Sequence, residues 1–193
     1  MPVIFGYGSL INPRSAEKTL GRSLCRHQMG CATLPGYLRS WTAPDCVKLQ
    51  SSDNQIHPCD ALFLDLTAYE TRSCGGIAIE VCERELRMLD IREQGYERSL
   101  VELRCSEGKT IPAYAYMIPE AEKFHHGVIL ARYKQMIDEA LRDYPGSFAQ
   151  RFWQDTLPSE NPVIEGEYIF TNREQNKLTG RKLKAPVTVD PCK

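Results

Sequence analysis

Two stretches of this chain hold residue types that could do chemistry together. The first is Phe5-Gly6-Tyr7-Gly8-Ser9-Leu10, which follows the apolar Val3 and Ile4 and breaks a short strand at once. Two glycines around a tyrosine permit positive φ and a close backbone approach. A run of exposed N–H groups in such a turn can form an anion-binding nest. The stretch therefore reads either as a loop that holds a carboxylate, phosphate or oxyanion, or as a strand ending in a plain glycine turn. The second stretch is Cys82 to Tyr96. Cys82, Leu86, Leu89 and Glu93 are spaced i, i+4, i+7, i+11. At roughly 100° per residue, Glu93 projects between the two leucines, toward the core or a cavity in it. Glu83, Glu85, Arg87 and Arg92 point elsewhere and can be solvated, with Asp90 at the edge of the stripe. Burial of an unpaired carboxylate costs several kcal/mol and raises its pKa. A general base working near neutral pH needs that shift. The other reading of Glu93 is a structural carboxylate at a helix end, paired with Arg98 or bonded to a tyrosine.

Three tyrosines bear on the choice. Tyr7 sits in the glycine loop, Tyr96 follows Gly95, and Tyr133 lies on a later helical stripe. Each alone fits a core aromatic with a satisfied hydroxyl. Together with the loop and Glu93 they would make a small polar pocket. Other chemistries lack their parts. There is no G-x-S-x-G elbow and no G-x-x-x-x-G-K-[ST] phosphate loop. Gly6-x-Gly8 lacks the third glycine and following helix of a dinucleotide fingerprint.

The eight cysteines (Cys25, Cys31, Cys46, Cys59, Cys74, Cys82, Cys105 and Cys192) include no C-x-x-C pair. Cys25, His27 and Cys31 lack a second ligand pair for structural zinc, and the adjacent His125 and His126 cannot face one ion from a regular helix. No metal site is expected, and without a secretion signal the cysteines read as free thiols. The formal net charge of −1 excludes a global basic field for nucleic acid or an anionic membrane. No apolar run approaches the roughly 18–20 residues of a membrane span. The start of the chain enters a strand directly, so the expected location is the cytoplasm.

The elements that must position these residues follow from periodicity. Ser15 to Leu20 reads as a short helix ended by Gly21. Cys31–Thr42, Ala61–Leu66 and Gly75–Val81 read as strands, the first bent at Pro35-Gly36. Glu83–Glu93 reads as a helix closed by Gly95. Tyr96–Cys105 and Lys109–Met117 read as a hairpin across Ser106-Glu107-Gly108. The longest helix is expected from about Ala121 to Tyr144, with Phe124, Val128, Ile129, Tyr133, Met136 and Ile137 on its apolar face. Pro145-Gly146 stops it, and Ser147 can cap another helix carrying Phe148 and Phe152. Glu165–Thr171 fits one more strand, and the basic stretch Asn172–Lys184 reads as a solvated tail. Strands early and helices late argue for an α+β domain with an antiparallel sheet or barrel. The expectation is one domain over residues 1–193, with 161–193 peripheral.

Phe5-Gly6-Tyr7-Gly8-Ser9-Leu10 resembles the opening motif of the γ-glutamylcyclotransferase-like superfamily, which includes the ChaC and AIG2-like branches. Leu89-Asp90-Ile91-Arg92-Glu93-Gln94-Gly95-Tyr96 resembles its second motif, and Arg132-Tyr133-Lys134 with Gly146–Trp153 resembles its late helical part. The likeness spans about residues 2–157. It implies a small mixed, mainly antiparallel β-barrel flanked by helices, with a pocket at the barrel mouth. It implies cyclisation of a γ-glutamyl group to 5-oxoproline with release of an amine or peptide, without a cofactor. On that likeness Glu93 would be the general base, Gly6, Tyr7, Gly8, Ser9 and Leu10 would hold the glutamyl group, and Tyr96 and Tyr133 would assist in binding. The partner implied is a small γ-glutamyl molecule, and the state a monomer or homodimer. Two other readings stand beside it: a non-catalytic ligand-binding module on the same scaffold, and a glutathione-specific ChaC-type enzyme. The ChaC branch carries a glycine-proline-serine-glycine segment of which Tyr144-Pro145-Gly146-Ser147 is a partial echo, and the stretch from Asn161 has no counterpart in the family pattern.

Overall fold

Val3–Gly6 forms the first strand, β1, and it runs through the middle of the molecule. A computed structural model describes residues 1–105 and 108–183. The expected hairpin loop at Ser106-Glu107 and the end of the basic stretch at Lys184 lie outside the described residues. β1 pairs antiparallel with β3 (Ile56–Glu80) and parallel with β5 (Thr110–Met117). β5 pairs antiparallel with β4 (Glu97–Cys105), and β4 with β2 (Gly30–Gln50). β2 then pairs antiparallel with β3, so the order β3-β1-β5-β4-β2 returns to β3 and closes. The result is a five-stranded mixed, mainly antiparallel barrel, as the α+β reading and the family resemblance both imply. Closure leaves these five strands without a bare edge along the ring.

β4 alternates buried and exposed residues, whereas β1 and the apolar runs of β3 are buried continuously, and together with β5 they fill the barrel. Ile4, Phe5, Leu64, Ile77, Leu103 and Ala115 are all buried in one apolar core. The two central strands differ from the expected pieces. Cys31–Thr42 is the beginning of a 21-residue strand, and Ala61–Leu66 and Gly75–Val81 belong to one strand of 25 residues. The polar stretch between them, exposed at Glu70–Arg72, hides the continuity. Register shifts between Pro35 and Tyr37 and between Trp41 and Ala43 bend the pair, which lets such long strands both close a barrel and project past it.

The projecting ribbon carries three short strands on its flanks. β6 (Val128–Leu130) runs parallel to β3, β7 (Val163–Ile164) runs parallel to β6, and β8 (Glu167–Phe170) pairs with β2. Among the described residues five α-helices cover the rest: α1 (Pro13–Leu20), α2 (Glu83–Arg92), α3 (Ala131–Leu141), α4 (Gly146–Gln154) and α5 (Arg173–Thr179). The single helix expected over 121–144 is replaced by β6 and α3. Val128, Ile129 and Leu130 are consecutive apolar residues, and Val128 and Ile129 pair in register with Ala61 and Leu62. Phe124, placed on the apolar face by periodicity, is exposed.

Arg39 on β2 anchors α4. It is fully buried, lies 3.6 Å over the Phe152 ring, and donates to the carbonyls of Gly75 and Phe152 and to Thr156 Oγ1 at 2.9 Å. The stretch from 161, expected at the periphery, enters the core instead. Tyr168 and Phe170 are buried against Phe63 at 5.9 and 5.6 Å between ring centroids. No helix among the described residues is long and apolar enough to cross a membrane.

Candidate active site

The site is built from the end of β1, the end of α2 and the start of α3. After β1 the chain makes a single tight helical turn, Ser9–Ile11, closed by Ile11 N–H to Gly8 O at 3.1 Å. No side chain caps that turn among the described residues. The N–H groups of Ser9 and Leu10, in its first turn, therefore have no partner from within it. The glycines serve space and not positive φ, which neither adopts. A Cβ on Gly6 would sit 3.0 Å from both Ile77 Cγ1 and Leu10 Cβ, and one on Gly8 would sit 2.9 Å from the Tyr133 hydroxyl.

α2 begins at a capping box, in which Glu85 Oε2 accepts from Cys82 N–H at 2.8 Å. It ends at Arg92. Glu93 is the C-cap, with φ −96° and ψ 32°, and Tyr96 N–H donates to Glu93 O at 2.8 Å. That turn sends the Glu93 side chain inward, as the stripe with Leu86 and Leu89 predicts, while Gly95 keeps an ordinary φ. The Glu93 carboxylate retains 17% exposure, into the cavity. Its partner is Arg92, whose Nε lies 2.8 Å from Glu93 Oε1. Arg98, the partner considered from sequence, pairs with Asp90 at 2.9 Å instead. Burial raises the Glu93 pKa, and the adjacent guanidinium opposes the rise.

Arg92 corrects the sequence reading most directly. Expected in solvent, it is only 2% exposed. It donates to Ser15 O at 3.0 Å, to Ser15 Oγ at 3.0 Å, to Ser9 Oγ at 2.7 Å and to Thr19 Oγ1. One side chain thus ties α1, the glycine loop and Glu93 together. Glu85, also expected in solvent, is buried against Arg22.

The three tyrosines converge. Tyr7 donates to the carbonyl of Tyr116, which fixes the loop to β5. Tyr96 donates to Leu64 O at 3.2 Å. Leu64 N–H donates to the Tyr133 hydroxyl, and the Tyr133 O–H has no acceptor among the described residues. Burial raises all three phenols, so they stay protonated donors at neutral pH.

A cavity of about 290 Å³ opens over Ser9, Glu93, Tyr96 and Tyr133. A recess of about 40 Å³, lined by Gly6, Tyr7, Gly8 and Leu10, continues from the same four residues. Every candidate from the sequence therefore lines one or both of two adjoining hollows that share Ser9, Glu93, Tyr96 and Tyr133. Sequence reasoning missed the opposite wall. It comprises Asp45 from β2, Tyr168 and Phe170 from β8, and Gln175, Thr179 and Arg181 from α5 and the residues after it. Their own signals were absent: a lone aspartate, two aromatics in a short strand and a basic stretch carry no motif. Burial raises Asp45 to about 6, opposed by hydrogen bonds from Gln175 and the Cys46 N–H. Among the described residues no three His, Cys, Asp or Glu side chains cluster as a metal site.

A closed mixed barrel with a glycine loop and an inward glutamate at its mouth defines the γ-glutamyl cyclotransferase-like class of proteins. Residues 4–135 match the family model described as gamma-glutamyl cyclotransferase, AIG2-like, and the chain belongs to that family. Solved structures share the fold. One described as a gamma-glutamyl cyclotransferase is 15% identical, with 82% of this chain and 89% of that chain covered and a TM-score of 0.56. An uncharacterized protein from Homo sapiens is 14% identical over 93% and 98% of the two chains, with a TM-score of 0.56. YkqA from Bacillus subtilis is 16% identical over 82% of this chain and 55% of that one, with a TM-score of 0.55. No curated protein matches the sequence.

Proposed function

We propose that this protein is a γ-glutamyl cyclotransferase that converts a γ-glutamyl amine or peptide to 5-oxoproline and the free amine. The observation that carries the reading is the shared hold of Arg92, which binds both the loop at Ser9 and the carboxylate of Glu93. That hold fixes a base and a set of main-chain donors across one cavity. The nucleophile and electrophile belong to the same substrate, so a pocket that folds the glutamyl chain captures a large proximity effect.

The steps balance without any further reactant. The α-ammonium of the glutamyl group is mostly protonated near neutral pH, and Glu93 takes one of its protons. The freed amine attacks the γ-carbonyl carbon, and the C–N bond closes a five-membered ring. Charge gathers on the carbonyl oxygen, where the Ser9 and Leu10 N–H groups and the Tyr133 hydroxyl can donate. A protonated Glu93 then returns the proton to the leaving nitrogen, the regenerated carboxylate takes the second proton from the cationic ring nitrogen, the old amide bond breaks, and the amine departs, carrying that proton away as its ammonium. Tyr96 and Tyr7 shape the walls, Tyr7 by holding the loop.

The raised pKa of Glu93 suits this cycle, because a base and its conjugate acid are both needed. The test is an assay for 5-oxoproline with glutathione, γ-glutamyl-alanine and γ-glutamyl-ε-lysine. At least one member of a broad γ-glutamyl panel is expected to yield product. Glu93→Gln, with its fold intact by circular dichroism, is expected to lose activity by about 100-fold or more. Undiminished turnover in that variant removes Glu93 from the mechanism. Binding without product across the panel favours a ligand-binding module.

A further inference from the structure

The cavity has a second end that the ring-closing chemistry does not use. Much of its lining lies beyond the region matched by the family, which stops at residue 135, and is carried by β8, α5 and the residues that follow. From Tyr133 the wall runs through Phe63, 4.9 Å away between ring centroids, to Tyr168, 5.9 Å further on. The Arg181 guanidinium stacks over Tyr168 at 4.1 Å and also hydrogen-bonds the Tyr168 hydroxyl. Arg181 Nη2 points to Met136 Sδ at 3.7 Å, and Met136 lines the same cavity. Gly180, at φ 67°, turns the chain so that Arg181 leaves α5 facing inward, and Arg181 N–H donates to Asn176 O at 3.0 Å.

No carboxylate stands within ion-pair distance of Arg181 among the described residues. The nearby acid of the cavity, Asp45, is bonded to Gln175. Among the described residues, this half-buried guanidinium, held by a ring, a hydroxyl and a thioether, has no counter-anion. Arg181 and Glu93 line the same cavity, so a substrate whose glutamyl end sits at Glu93 has its leaving group to place within that space.

We propose that Arg181 is a specificity-determining residue that binds the carboxylate of the leaving group. The protein would then select γ-glutamyl compounds that release an amino acid or peptide over those that release a plain alkylamine. The proposal rests on the cyclotransferase reading above. Arg181 touches no reacting atom; it sets which amine departs.

The test compares γ-glutamyl-alanine with γ-glutamyl-ethylamide, which has the same amide without the carboxylate. The wild-type kcat/KM ratio is expected to favour γ-glutamyl-alanine by about tenfold or more, the worth of a charged hydrogen bond. Arg181→Gln should bring that ratio close to one, and Arg181→Lys should retain part of it. A binding arm separates this proposal from the reaction itself. In the Glu93→Gln protein, calorimetric titration should give γ-glutamyl-alanine the lower Kd, and adding Arg181→Gln should abolish the difference. Circular dichroism checks the fold of each variant, and Arg181→Lys decides the matter if Arg181→Gln does not fold. A preference that survives Arg181→Gln, equal binding of the two ligands, or no binding of either overturns the proposal. Discriminating binding with no 5-oxoproline from the wild type keeps the proposal and overturns the cyclotransferase instead.

Discussion

Arg92 and Glu93 are adjacent in sequence yet do different physical jobs. A guanidinium has five N–H donors and no acceptor, and those of Arg92 all point at oxygen atoms of α1, the glycine loop or Glu93. Taking that cation away leaves the Glu93 carboxylate buried with less to offset desolvation, so its pKa must rise further. In the proposed mechanism Glu93 is the base and acts only when deprotonated, so the acid limb of kcat/KM would mark this pKa. Arg92→Met is therefore expected to move the acid limb to higher pH and to lower stability by about 3 kcal/mol. Arg92→Lys should move the limb less. The pH profile and a denaturant melt check both, and an unmoved limb in a folded variant denies Arg92 its positioning role. At this scale Glu93 was legible and Arg92 was not. Leu86 and Leu89, both buried on one stripe, aim Glu93 inward whatever surrounds the helix, while Cys82 at the cap of α2 is exposed. The direction of Arg92 depends on α1, which lies some seventy residues earlier in the chain, and periodicity along α2 holds no trace of it.

The elements are joined by a clasp at the outer end of the cavity. Gln175 on α5 donates to Asp45 on β2 and accepts from Gln94 Nε2, just past α2, at 3.4 Å. Gln94 in turn accepts from Asn172 Nδ2 at 3.0 Å, at the cap of α5. The Asp45 carboxyl, normally near 3.8, is raised to about 6 chiefly by burial. The folded state thus holds this proton more tightly than the unfolded chain does. Its contribution to stability is complete below about pH 4 and is lost as the pH rises through about 6. Asp45→Asn keeps an acceptor for Gln175 and removes the charge. It is expected to raise stability at pH 7 by about 1–2 kcal/mol after allowance for solvent screening, and to make no difference below about pH 4. Melting curves at the two pH values decide it, and a variant less stable at pH 7 refutes the electrostatic account. Short elements bounded by strong signals, such as α1 between the Asn12 cap and Gly21, follow from local sequence. So does the β4–β5 pairing. The long strands β2 and β3 do not, because their bends and exposed polar stretch look like endings until the partner strand supplies the register. β6 fails for a related reason, since a short apolar run suits a helix or a strand until Ala61 and Leu62 are known to lie beside it.

At the scale of the whole molecule, the question is whether the chain after the family-matched region is an appendage or part of the fold. A solvated tail contributes little and can be removed; a strand on an open ribbon edge cannot. β8 covers β2 from Val47 to Gln50, and Tyr168 and Phe170 bury their rings on Phe63 in the wall of the cavity. Losing a buried aromatic costs about 3–5 kcal/mol, and two such losses approach the whole stability of an ordinary domain. The deletion would also bare the backbone donors and acceptors of β2. Removing residues 161–193 is therefore expected to lower the melting temperature sharply, or to abolish the cooperative transition, and to expose apolar surface to a hydrophobic dye. Thermal melts and dye fluorescence of the shortened chain make the measurement. If it melts where the full chain does, the C-terminal stretch is the appendage that its polar composition suggests, and the outer wall of the cavity has no part in holding the barrel together.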